Sequence, residues 1–223
     1  MVFFLKLIEV IKESWFDFMS GLGVFKACAP FLIGIVIFEV SQPYLFEDPI
    51  LLQRFIFHVC LTALHIGLTF YGLRFIYIKM NVDIELTSRK ALIFILSQAY
   101  ITLVTGLGFL LLFLPGVMIT SLTCLAPIYV LKDNQGPIEA VVSSVKAIKP
   151  VFIQLSVLFF FLLLFFMSVV YFGEYLFQVI TEPNIVFSVV ASLMSIVFMF
   201  YSLFFIVNVY QRLQESSSEL ENL

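Results

Sequence analysis

The sequence predicts an all-α integral membrane protein of about six transmembrane helices with two further amphipathic helices at the interface. Three observations carry that expectation. The 223-residue chain is 62% hydrophobic and only 12% charged, with mean hydropathy +1.11, whereas soluble domains carry roughly a quarter charged residues. Its apolar runs approach the about 20 residues needed to cross hydrocarbon at 1.5 Å per residue. Its charges collect in the links between those runs or on one face of two of them. The length allows about six spans with short links in one polytopic domain, 1–223, and leaves no room for a separate soluble domain.

Residues 2–19 place Lys6, Glu9, Glu13 and Asp17 three to four positions apart, on one helix face, with Phe, Leu, Ile and Val on the other. A helix lying flat in the interface fits, with Trp15 at headgroup level; a helix packed on the cytoplasmic end of the bundle fits the same pattern. The interleaved charges are foreign to a signal peptide, so the segment is expected to be retained. A first span follows at 25–40, with Lys26 able to snorkel and Pro30 in its first turn. The linker beyond it is acidic, with Glu39, Glu47 and Asp48, and a second span follows at 50–76.

After a polar link holding Asp83, Glu85, Arg89 and Lys90, residues 92–114 form the cleanest uncharged run. Pro115-Gly116 is expected to reverse the chain, because proline stops a helix and glycine accepts a tight turn. The returning span, 117–131, reaches only about 22 Å as a straight helix. Pro127 breaks it further by removing a donor and freeing the Thr123 carbonyl. Asp133 to Pro137, including Gly136, reads as a turn, with Pro137 suited to the first position of the next helix.

That helix, 137–149, puts Ile138, Val141, Val142, Val145 and Ile148 on one face and Glu139, Ser143 and Lys146 on another, which predicts a second interfacial helix ended by Pro150. Spans at 151–172 and 185–209 flank an acidic outer loop, 174–184, and a polar tail, 211–223, is expected to fray. A lead-in followed by a two-span hairpin begins near residues 2, 85 and 137, and GLG occurs at 21–23 and 106–108. Three repeats and a plain six-helix protein both fit that layout.

Folded this way, one side of the membrane receives Lys6, Lys12, Lys26, Arg74, Lys79, Arg89, Lys90, Lys132, Lys146, Lys149 and Arg212, and the other Arg54 alone. The positive-inside rule then places both termini in the cytoplasm. Cys28, Cys60 and Cys124 are odd in number and far apart, so they read as reduced packing residues rather than a metal or redox motif. The 28 phenylalanines fit lipid-facing helices.

The segment 106–149, with Pro115-Gly116, Leu125-Ala126-Pro127, Asp133, Gly136 and Ser143-Ser144, resembles the YciC-like family of bacterial inner-membrane proteins. That family is in turn similar to the membrane domain attached to some glycerophosphodiester phosphodiesterases. The likeness covers about residues 85–210; over 1–84 it is one of layout, and the outer linker at 41–49 is shorter than the family's. It implies a six-span protein of the bacterial inner membrane without established chemistry, and it supplies no catalytic residue. The phosphodiesterase catalytic barrel has no counterpart in this sequence.

The most suggestive polar set is Arg54, His58, Thr62, His65 and Thr69, which fall within one narrow face of the second span. Ionisable groups at membrane depth usually face a bundle interior or a water-filled path. The structural alternative pairs Arg54 with the acidic linker and satisfies each histidine on a neighbouring carbonyl or threonine. The break at Pro127 likewise reads as a binding site or as a kink eased by Thr123. The sequence holds no HExxH, GxSxG or P-loop and no carboxylate pair within a span.

The expectation is therefore a non-enzymatic membrane component that docks a partner or supports envelope assembly, with a small transporter or permease subunit as the alternative. Its partners would be membrane lipid and another membrane or envelope protein. No nucleic acid, metal or cofactor is expected.

Overall fold

In hydrocarbon each backbone donor and acceptor must be satisfied within its own segment, so long apolar runs fold as helices. The computed structural model describes residues 2–45, 51–79, 87–180 and 185–221, and among them every regular element is helical. In chain order these are α1 (Val2–Ser20), α2 (Gly23–Ala27), α3 (Ala29–Leu45), α4 (Leu51–Lys79), α5 (Ser88–Leu111), α6 (Phe113–Thr123), α7 (Ala126–Asp133) and α8 (Pro137–Ile148). A single 3-10 turn, Lys149–Val151, leads into α9 (Phe152–Ile180), and α10 (Ile185–Glu221) completes the set.

Among the described residues five stretches are long and apolar enough to cross a membrane: Ile56–Ile78, Ser88–Leu111, Phe113–Asp133, Pro137–Val169 and Val189–Glu215. The expected first span, 25–40, is divided. Cys28 interrupts it with φ −100° and ψ 5°, and Pro30 then stands second in α3, where no N–H is needed. At 17 residues, α3 reaches about 25 Å and is shorter than the other spans.

Helices α1 to α4 and α10 pack together, and α5 to α9 form a second group. The N- and C-terminal helices share a polar seam. Buried Asn208 of α10 donates to Ser14 Oγ at 3.1 Å and to Asp17 Oδ2 at 3.0 Å, and Arg212 pairs with Glu13. Around the seam Phe18 meets Phe204 edge-on at 6.1 Å, while Trp15 lies 56% exposed against Tyr201. The amphipathic N-terminal helix thus has a protein partner along the C-terminal part of α10.

Several boundaries differ from those the sequence suggests. The reversal before the fourth span falls at Leu112, which is extended (φ −164°, ψ 148°), rather than at Pro115-Gly116. Pro115 is the third residue of α6, where a missing N–H costs no intrahelical bond. The role of Gly116 is close approach: a Cβ there would lie 2.4 Å from the Phe109 ring, and one on Gly108 would lie 3.1 Å from Gly116 Cα. Helix α9 continues to Ile180 and α10 to Glu221, so residues 174–180 of the expected loop and 211–221 of the expected tail are helical.

The expected break near Pro127 falls at Cys124 and Leu125, between α6 and α7. Pro127 is the second residue of α7, a position that spares its missing N–H. The exposed backbone is repaired from α8. Ser144 Oγ donates to the Leu122 carbonyl at 2.7 Å and accepts from the Leu125 N–H at 3.2 Å. Thr120, Ser121 and Thr123 back-bond to the carbonyls of Gly116, Val117 and Ile119. Gly136, in extended conformation, caps α8 and donates its N–H to Glu139 Oε2, with Pro137 as the first helical residue. Pro150 lies in the 3-10 turn, after which the helix resumes.

The face that α8 buries is also rotated from the apolar one. Ala140, Ser144 and Ile148 are buried, while Ile138 and Val142 are exposed, because Ser144 must reach the break. Replacing Ser144 with alanine leaves a buried carbonyl and a buried N–H without partners, at about 1–3 kcal/mol. Ser143→Ala, on a half-buried neighbour, is expected to stay within about 0.5 kcal/mol. Unfolding in detergent micelles measures both, and equal losses would show that the bridge does not hold the break.

Candidate functional site

Helix α4 carries a polar row because residues four and three apart recur on one face. His58, Thr62, His65 and Thr69 all line one groove, together with Leu61 and Ile66. The opposite wall is α5, which contributes Gln98 and Thr102. The groove measures about 310 Å³ and opens on the surface of the bundle, where His58 and Thr62 are exposed. His65 and Gln98 stand near the middles of their spans, Ile56–Ile78 and Ser88–Leu111. Four of the five residues in the predicted polar stripe are therefore brought together. The side chain of Arg54, with the linker carboxylates Glu47 and Asp48, lies outside the described residues.

Part of the stripe satisfies itself. His65 Nδ1 lies 2.9 Å from the Leu61 carbonyl, to which it can only donate, and Nε2 then remains an acceptor. Thr69 donates to the His65 carbonyl at 2.9 Å. The α5 wall is different, because the Gln98 amide nitrogen and the Thr105 hydroxyl are buried without a hydrogen-bond partner. Gln98, Thr102 and Thr105 recur at i, i+4 and i+7, within one narrow face. Sequence reading passed over them because the 92–114 run is uncharged, and their periodicity was the available signal.

Beside Thr69 and one turn before Gln98, Phe70 of α4 meets Phe94 of α5 edge-on at 5.1 Å. Both rings are buried. Chemically the groove offers neutral donors and acceptors. None of its lining residues is a carboxylate, and no cluster of three or more metal-ligating side chains occurs among the described residues.

A second cavity, about 560 Å³, lies over the seam between α1 and α10. Its Glu13, Asp17, Asn208 and Arg212 are joined to one another across the two helices, so its polarity belongs to helix packing. Fold and groove together define a multi-pass α-helical membrane protein with a polar cleft at mid-span. Compared with protein-family models, curated proteins and solved structures, the chain matches none.

The unpartnered Gln98 amide yields a prediction about stability. Because its donor is buried without a partner, Gln98→Leu removes a desolvation cost and is expected to leave the detergent melting temperature unchanged or raised. His65→Phe forfeits a bond to a carbonyl of its own helix and should cost about 0.5–1.5 kcal/mol, the net range for an intramolecular hydrogen bond. A drop of several kcal/mol for Gln98→Leu would mean that the amide is satisfied within the monomer.

Proposed function

We propose that this protein is a non-enzymatic component of a bacterial inner membrane that docks the transmembrane helix of another membrane protein in the α4–α5 groove. One observation carries the reading: hydrogen-bonding side chains from two helices converge at mid-span, and the Gln98 amide nitrogen has no partner among the described residues. Lipid chains offer such groups nothing. A facing helix with Ser, Thr, Asn or Gln offers both donors and acceptors, the usual polar contacts between helices in a membrane. From His58 to Thr69 the groove runs about 16 Å, or three turns of such a helix.

The resemblance of residues 106–149 to the YciC-like family supports the inner-membrane assignment. The distribution of basic residues supports cytoplasmic termini. A small permease is the second reading, favoured by the two histidines on the groove wall. Against it, the groove extends over about half of the roughly 30 Å hydrocarbon core.

Photo-crosslinkers placed at Thr62 and Thr102 in native membranes test the docking. The expected product joins the chain to a different membrane protein and is lost in Gln98→Leu. A product of twice the chain's mass would instead make the partner a second copy, and lipid adducts alone would end the docking proposal. Orientation is tested separately. In a background without Cys28, Cys60 and Cys124, Gln135→Cys should resist a membrane-impermeant reagent in intact cells and react after lysis. Labelling in intact cells would invert the topology.

A further inference from the structure

Groove and seam leave a third cavity unexplained, about one turn nearer the start of α5 than Phe94. It measures about 390 Å³, within the roughly 300–1,000 Å³ of small-molecule pockets. It lies between the first turns of α5 and the end of α7, and is lined by Thr87, Arg89, Lys90, Ile93, Val130 and Asn134. We propose that it binds the phosphate group of an anionic phospholipid at the cytoplasmic surface of the membrane. The reading does not depend on what fills the α4–α5 groove.

The lining is cationic and amphiphilic. Arg89 and Lys90 bring two positive charges, and among the described residues no acidic side chain lines the cavity. The ion pairs among the described residues are those of Arg212 with Glu13 and Glu215, so neither Arg89 nor Lys90 is neutralised there by a carboxylate. Asp133 is exposed and does not line the cavity. Thr87 and Asn134 add polar groups, while Ile93 and buried Val130 supply an apolar wall.

The first turn of α5 adds to the field. Thr87 Oγ1 accepts the Lys90 N–H and the Thr87 carbonyl accepts that of Ala91, leaving the N–H groups of Ser88 and Arg89 outside the intrahelical ladder. Their partial positive charge favours an anion. Position favours a lipid over a soluble solute. The cavity stands where the Ser88–Leu111 span begins, the level at which a phospholipid carries its phosphate, and basic pockets between helices on the cytoplasmic side are known to take anionic headgroups.

The test uses the full-length protein in detergent, with bound lipid counted by native mass spectrometry after addition of phosphatidylglycerol or phosphatidylcholine. Phosphatidylglycerol should be retained roughly tenfold more than phosphatidylcholine, and the preference should vanish in the Arg89→Gln/Lys90→Gln variant. Lys146→Gln, an exposed cation on α8 that does not line the cavity, should leave it intact. Should the double variant fold poorly, Arg89→Gln alone, on an exposed side chain, is expected to lower the preference severalfold.

Equal retention of the two lipids would overturn the proposal, as would an unchanged preference in the Arg89 and Lys90 variants or an equal loss in Lys146→Gln. Displacement of phosphatidylglycerol by inorganic phosphate at millimolar concentration would assign the site to a soluble phosphate and refute the lipid. Resistance to it is the expected result.

Discussion

The hydroxyl of Ser144 holds the second half of the molecule in its arrangement. A helix interrupted at Cys124 and Leu125 presents a carbonyl and an N–H that hydrocarbon cannot satisfy, and one side chain on α8 takes both. That bond requires α8 to lie against the break. It therefore fixes the α8 row Ala140, Ser144 and Ile148 as the buried one and leaves Ile138 and Val142 outward. Small side chains permit the approach, as they do where Gly108 faces Gly116. The broken span is consequently a folding device, in which irregular backbone is tolerated because protein covers it.

Polarity serves different ends in different parts of the molecule. In the C-terminal half of α10, Asn208 and Arg212 join two helices nearly two hundred residues apart, and every polar atom named in that seam has a partner. Near the same level Tyr129 meets Tyr210 at 5.4 Å, with Lys132 Nζ 4.8 Å above the Tyr210 ring, which ties α7 to α10. The α4–α5 groove has the same kinds of side chain, yet the Gln98 amide is left over. The contrast lies in satisfaction, since buried polar groups that pair internally specify a fold while unpaired ones require an explanation.

The helical membrane architecture was legible because composition and run length depend on the solvent and little else. The stripe from His58 to Thr69 was legible too, since periodicity on a single helix needs no tertiary information. What escaped is tertiary by nature. The apolar face of 137–149 comprised Ile138, Val141, Val142, Val145 and Ile148; Ile148 is buried as expected and Val141 and Val145 are half-buried, but Ile138 and Val142 are exposed, and only the demand of the broken backbone for a hydroxyl turned Ser144 inward. Pro115-Gly116 read as a turn because both residues favour one, whereas the chain reverses at Leu112 and the glycine is spent on contact with Phe109. The continuation of α10 through a polar tail followed from a partner, Glu13, far away in sequence.

Helix α5 shows how one row of side chains follows the membrane's own profile. Lys90, Phe94, Gln98 and Thr102 recur every four residues, so they stack along a single slowly turning face. The charge stands at the start of the span, where water and headgroups can hold it. The fully buried Phe94 packs on Phe70 next, and the amide and hydroxyl beyond it reach the middle of the span. Along α5, Phe94 thus stands between the residues of a cationic cavity at the start of the span and those of a neutral groove at its middle. Each compartment suits a ligand of different chemistry, because a phosphate is costly to bring to mid-membrane whereas neutral hydrogen-bonding groups gain most there, where nothing else competes for them.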